Sequence, residues 1–168
     1  MAVDVAEFDF EKSIWVTADF DQMRWHDCLI HGVSFDLQRG KFFLDIDYIF
    51  SWVTPVPNDG TFQFWVAPST LMFENVYDLS IDLEHETGWY IMSIDRKEEG
   101  AAPNAELIAE KQDWKWCLET CFGEISFRST GFTQYTRKVP RLTDQQYFGQ
   151  SERGGSNFEL STTATTWA

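Results

Sequence analysis

The part of this chain that most constrains its fold is residues 27–52, where apolar and polar side chains alternate on both sides of one turn. The sequence is DCLIHGVSFDLQ, then Arg-Gly, then KFFLDIDYIFSW. A two-residue loop that ends at Gly40 would pair apolar residues of one strand with apolar residues of the other, and would place His31 opposite Tyr48. A slip of one residue would pair core with solvent positions. The stretch therefore predicts an antiparallel β-hairpin, with a longer, bulged loop as the alternative because the tightest turn prefers Asn-Gly.

The remaining segments repeat this alternation and show little helical periodicity. Residues 77–85 and 88–96 are predicted to form a second hairpin, and a third is predicted around Gly123. Beyond that turn the apolar positions change parity at Gly131, which is typical of a β-bulge. A short helix is predicted over 105–111. Successive hairpins with at most one short helix predict an all-β fold, either an antiparallel β-sandwich or an open barrel.

Length and composition suggest one folded domain followed by a tail. A chain of 168 residues fits a single domain that can bury a sizeable core without metal or disulfide. After Pro140 the sequence becomes polar, as in QSERGGSNFELSTTATTWA. We therefore predict a single antiparallel β domain over 1–141 and a polar, mobile C-terminal tail over 142–168.

The charge balance limits the kinds of partner. The net charge is −14, and residues 1–100 carry 19 acidic against 6 basic side chains. A field of this sign argues against binding to nucleic acid or to an anionic membrane, whereas a basic protein partner remains compatible with it. Three cysteines form no disulfide framework, and the N-terminus has no apolar export signal. We expect a cytoplasmic protein.

Motifs that carry chemistry are missing from the sequence. Zinc-ligand spacings, the GxSxG nucleophile motif and glycine-rich phosphate loops are absent. We therefore predict no catalytic residue, no metal ligand and no cofactor. A non-catalytic role is favoured, while enzymatic activity stays open.

Two hypotheses name candidate site residues. The first is an acidic surface that meets a basic protein, formed by the polar positions of alternating strands: Asp45, Asp47, Asp78, Asp82 and Glu84. The second is a pocket for a small molecule, binding or hydrolytic, because a histidine facing a tyrosine could titrate near neutral pH. Its residues would be Asp27, His31, Tyr48 and Trp52. A homo-oligomer that buries aromatic faces between subunits is a third possibility.

Four strings taken together resemble a family of small bacterial proteins of unknown function. They are WHDCLIHGVSFD, LDIDYIFSW, FWVAPSTLMFENV and GEISFRSTGFTQYTR. The resemblance covers about residues 13–141 and implies a bacterial source. It implies no activity, cofactor or catalytic residue. Small acidic proteins of this kind resemble immunity or interaction partners.

Overall fold

A computed structural model describes residues 7–55, 60–84 and 87–168. Within these residues the regular secondary structure is mostly antiparallel β-strand, which confirms the all-β prediction. A 3-10 helix spans Thr17–Gln22, and a single-turn helix, α1, spans Gln150–Arg153. No helix in the described segments has the length and apolar character to cross a membrane. The strands are β1 (Ile14–Val16), β2 (Leu29–Asp36), β3 (Lys41–Val53), β4 (Gln63–Glu74), β5 (Tyr77–Leu83), β6 (Trp89–Ala101), β7 (Gln112–Thr120), β8 (Gly123–Ser129), β9 (Gly131–Thr136) and β10 (Arg141–Thr143).

The strands form one antiparallel sheet that does not close. Its order is β1-β9-β4-β3-β2-β6-β7-β8-β5, and β10 pairs with β4. The sheet folds over on itself, so that Phe73 of β4 lies 4.6 Å from Phe127 of β8, centroid to centroid. Trp116 of β7 contacts Phe132 of β9 at 5.9 Å. The aromatic core lies between the half that contains β9 and β4 and the half that contains β7 and β8. The edge strands of the sheet are β1 and β5.

The first hairpin, β2–β3, forms where the alternation predicts it, but in another register. Phe35 pairs with Phe42, which leaves a loop over residues 37–40 with Gly40 at φ +61°. His31 is bulged out of the β2–β3 pairing. Tyr48 lies beyond the last β2–β3 pair, Leu29 with Asp47, and pairs with Ala67 of β4, so the predicted facing of His31 and Tyr48 is wrong. From Gly32 to Asp36 the register is shifted by two positions, which keeps each side chain on its face, so the apolar pattern cannot distinguish the two registers there; the bulge at His31 adds one further position.

The second predicted hairpin does not form. β5 pairs with β8, while β6 pairs with β2 and β7, through contacts such as Ile30 with Trp89. The third hairpin, β7–β8, is confirmed, with Thr120 opposite Gly123. Alternation identifies strands but not their partners, because the polar faces of β5 and β6 suit any neighbouring strand.

The parity change at Gly131 marks a corner of the sheet and not a bulge within one strand. β8 ends at Ser129 beside β7, and β9 begins at Gly131 beside β4. A Cβ atom at position 131 would lie 2.1 Å from Oγ1 of Thr17. A larger residue there would have to displace this hydroxyl, which bonds the backbone of Phe132 and ties the 3-10 helix to the corner.

The short helix predicted over 105–111 is wrong. This segment forms turns between β6 and β7. The side chain of Asn104 exchanges two hydrogen bonds with Asn75, at 2.8 and 2.9 Å. The apolar side chain Leu107 stays 86% exposed, so no packed face rewards a helix at this position.

Candidate functional site

The C-terminal segment that the sequence describes as a polar tail packs onto the sheet. Phe148 is buried, and its ring centroid lies 4.7 Å from that of Trp167, with the rings tilted by 58°. Arg153 is buried as well. The backbone carbonyl of Glu159 accepts a hydrogen bond from Thr70 of β4 at 2.8 Å. The segment therefore covers the face of β3 and β4 that is turned away from the aromatic core.

Under this segment lies a buried ionic group that we call the carboxylate cluster: Asp45, Asp47, Arg137, Arg153 and His31. Arg153 donates from both terminal nitrogens to the two oxygens of Asp45, at 2.7 Å each. Arg137 donates to the same carboxylate at 2.6 Å. The backbone N–H of Asn157 adds a fourth donor at 2.9 Å. Asp45, which lies on β3, is therefore held by the residue after β9 and by the C-terminal segment.

Asp47 completes the cluster. It accepts from Nε and Nη2 of Arg153 at 3.2 Å, and from the backbone N–H of Phe148 at 2.8 Å. Nε2 of His31 lies 2.8 Å from the same carboxylate, while the Gln150 amide donates to Nδ1 of the ring at 3.0 Å. The ring of His31 therefore bridges Asp47 and the C-terminal segment. Across the cluster the carboxylates of Asp45 and Asp47 face the guanidinium groups of Arg137 and Arg153.

Local sequence explains how Arg153 reaches this position. α1 ends at Arg153, and the next two residues, Gly154 and Gly155, have φ +82° and +80°, a conformation that favours glycine. The turn brings the carbonyl of Gly155 to within 2.8 Å of Nη1 of Arg153. The ERGGS string thus serves to bury an arginine.

The pKa of Asp45 reflects this environment. Burial alone would raise it, but the hydrogen bonds and charges of Arg153 and Arg137 outweigh burial and bring the pKa below its ordinary value of 3.8. A carboxyl group with a depressed folded-state pKa contributes stability above its unfolded-state pKa, and loses it as the pH falls through the folded-state value.

We therefore expect the free energy of unfolding to fall as the pH drops below 3.8. Urea denaturation at a series of pH values would measure this fall in the native protein and in an Asp45→Asn variant. The variant should lose less stability over the same interval because it lacks the depressed group. The Asp19→Asn variant provides the comparison, because the pKa of Asp19 is also below its ordinary value although this side chain pairs with Lys12, outside the carboxylate cluster. Parallel acid profiles for the native protein and Asp45→Asn would contradict the assignment.

The cluster is closed to solvent. The side chains of Asp45, Asp47 and Arg153 are 0% exposed, and that of His31 is 4% exposed. The prediction that Asp45 and Asp47 belong to an exposed acidic surface is therefore wrong. Alternation places them on the face away from the core, but it cannot say that residues some hundred positions later will cover that face. A substrate could reach the cluster only after the C-terminal segment left it.

The structure does not bring the predicted pocket residues together. His31 lies with Asp47 on the covered face of β3, whereas Tyr48 points into the core. The Tyr48 hydroxyl accepts a hydrogen bond from the backbone N–H of Arg24 at 3.1 Å, and burial raises its pKa. No single cavity can be lined by both side chains, because they lie on opposite faces of the sheet that β2 and β3 form.

The other two members of that set are apart as well. Asp27 accepts a hydrogen bond from Gln146 at 3.1 Å. Trp52 is 45% exposed near the far end of β3, with its ring 5.0 Å from Phe64 and 6.1 Å from Phe62. Asp27 therefore helps to hold the C-terminal segment, and Trp52 belongs to an aromatic group at the rim of the sheet.

The remaining predicted acids lie where a partner could reach them. Asp78, Asp82 and Glu84 are exposed along the edge strand β5 and the residue that follows it. Asp82 stands opposite Glu124 of β8, and Glu124 stands opposite Glu119 of β7. Residues that are direct cross-strand partners share a face, so these three exposed acids form one row across three strands.

A further buried acid, Asp113, was not predicted from the sequence. Its side chain accepts a hydrogen bond from the Tyr77 hydroxyl and forms an ion pair with Arg128 at 2.7 Å. Burial and the neighbouring Asp113 raise the pKa of Tyr77 to about 12. No short-range pattern links these three residues, because they come from β5, β7 and β8.

Metal ligands and relatives add no further assignment. Within the described segments no group of three or more His, Cys, Asp or Glu side chains is placed to hold a metal ion. No family model matches the chain, and no curated protein or solved structure matches it either.

Proposed function

We propose that this protein is a non-catalytic binding module of the bacterial cytoplasm that meets a basic protein through an acidic surface. Immunity against a basic toxin is one form of this role. The surface consists of the row Asp82, Glu119 and Glu124, extended along the sheet edge by Asp78 and Glu84.

The row of like charges is the observation that carries the proposal. Direct cross-strand pairs of the same sign cost stability, and nothing in the fold requires acids at these three positions. Among the described residues none of the three lies within ion-pair distance of a basic side chain. A basic partner would supply the missing counter-charges.

The adjoining edge strand supports the same surface. Among the described residues β5 pairs only with β8, so Asp82 lies on a free edge of the sheet that a partner can approach. Ile81 stands opposite the buried Ile125, on the other face of β5, so the proposed surface is formed by the acids themselves. The carboxylate cluster offers no comparable access, so the proposal does not use it.

Reversal of the row to lysine, D82K/E119K/E124K, is expected to abolish capture of a basic partner from a lysate of the source organism. The native protein should retain that partner at low salt and release it at high salt, since charge complementarity mainly sets the association rate and is screened by ions. The matched control is E7K/D9K/E11K, which changes the net charge equally at exposed N-terminal positions. Equal loss of capture in both triple variants would reduce the effect to net charge and refute the proposed surface.

A further inference from the structure

A groove of about 490 Å³ lies at the corner where β8 passes into β9. The start of the 3-10 helix forms one wall, and residues of β6, β7 and the turn before β7 form the other. Its volume falls in the range of roughly 300–1,000 Å³ that small-molecule sites occupy. The groove is separate from the carboxylate cluster and from the acidic row.

Arg96 is the positive charge of this groove. Its guanidinium carbon lies 4.2 Å from the ring centroid of Phe20 and 4.1 Å from that of Trp114. Its hydrogen bond to the carbonyl of Thr17 is long, at 3.3 Å. Among the described residues no carboxylate lies within ion-pair distance of it, and Asp21 and Glu98 act on its charge only from further away. A guanidinium has five N–H donors, so most of those of Arg96 have no acceptor among the described residues.

Glu110 supplies a negative charge in the same groove. It is exposed in the turn before β7 and has no ion-pair partner within the described segments. Glu74, which also lines the groove, already lies 3.8 Å from Lys41. Arg96 and Glu110 therefore line one groove as opposite charges that form no ion pair with each other.

We propose that this groove binds a small zwitterion of the amino-acid type. The ligand carboxylate accepts hydrogen bonds from Arg96, its ammonium group faces Glu110, and its apolar body packs on Trp114 and Val16. The ring contacts fix the plane of the guanidinium before the ligand arrives, which reduces the entropy lost on binding. A zwitterion also carries no net charge, so the field of a protein with net charge −14 does not repel it.

Three probes with one phenyl body separate the two charges: L-phenylalanine, 3-phenylpropanoate and 2-phenylethylammonium. Each would be titrated into the full-length protein while the indole N–H resonance of Trp114 is followed by NMR. L-Phenylalanine is expected to give a saturable shift. Each half-probe should bind at least about tenfold more weakly, because one charge-assisted contact is missing. Absence of any Trp114 shift with L-phenylalanine would overturn the proposal.

Two variants assign the contacts. Arg96→Met should weaken L-phenylalanine and 3-phenylpropanoate by about tenfold or more and leave 2-phenylethylammonium unchanged. Glu110→Gln should weaken binding of L-phenylalanine and 2-phenylethylammonium and leave that of 3-phenylpropanoate unchanged. Glu106→Gln, which replaces an exposed acid of the same turn, should leave all three affinities unchanged. If Arg96→Met unfolds, the exposed position 110 still provides the test. Equal affinities of the native protein, Arg96→Met and Glu110→Gln for L-phenylalanine would refute the site.

The inference goes beyond the proposed binding of a basic partner and does not depend on it. The row variant D82K/E119K/E124K leaves the groove intact and should bind L-phenylalanine as the native protein does. Arg96→Met leaves the acidic row intact and should still capture a basic partner. Each proposal can therefore fail while the other stands.

Discussion

Replacement of Arg153 by methionine is expected to lower the free energy of unfolding by about 3–5 kcal/mol, the usual cost of removing one partner from a buried ion pair. The side chain is 0% exposed and donates to both Asp45 and Asp47. Methionine fills a similar volume but leaves two buried carboxylates with the single guanidinium of Arg137, which reaches only Asp45. Chemical denaturation would measure the change.

Glu152→Gln is the matched control for this result. Glu152 is the neighbouring residue in α1 and pairs with Arg141 at the surface, its side chain 49% exposed. Exposed ion pairs contribute about 0–1 kcal/mol, so this variant should stay within that range of the native protein. A loss for Arg153→Met no larger than that of the control would show that the cluster does not stabilise the fold.

The Arg153 result also bears on the C-terminal segment. If the cluster anchors the segment, Arg153→Met should increase hydrogen exchange at Phe148 and Asn157, whose backbone N–H groups donate to the two carboxylates. Composition alone predicts a mobile tail over 142–168. Exchange in the native protein tests that prediction directly, because contacts in a structure do not measure motion.

Replacement of Gly123 by alanine is expected to cost about 3 kcal/mol or more. Gly123 has φ +127°, and a Cβ atom there would lie 2.0 Å from the backbone carbonyl oxygen of Asp82. A side chain could rotate away, but a backbone oxygen within a paired strand cannot move without displacing β5 from β8. Thermal or chemical denaturation would measure the loss.

Gly100→Ala separates the clash from the backbone conformation. Gly100 has φ +81°, and nothing lies within 4 Å of the Cβ that would be added. It should cost only about 1–2 kcal/mol, the penalty of a left-handed conformation. Because β5 carries Asp78 and Asp82, Gly123→Ala should also weaken capture of a basic partner, whereas Gly100→Ala should not. Equal destabilisation by the two variants would refute the clash.

Two hairpins and the exposed acids of β5 could be predicted from local sequence alone. Alternation over 27–52 identified two strands and their turn, because neighbouring side chains of a strand point to opposite faces and a tight connection forces adjacent strands to pair. The same logic located the β7–β8 hairpin at Gly123. Exposed acids on β5 followed from its polar face. Each of these features depends on residues close together along the chain.

Tertiary structure decided the rest. Asp45 and Asp47 have the same alternating pattern as Asp78 and Asp82, yet the first pair is buried under Arg153 and the second pair is exposed. The difference comes from more than a hundred residues further along the chain, where a polar segment contributes one arginine. Local patterns report which face a side chain occupies. What covers that face depends on contacts between distant segments, whose gain must offset the entropy of closing long loops.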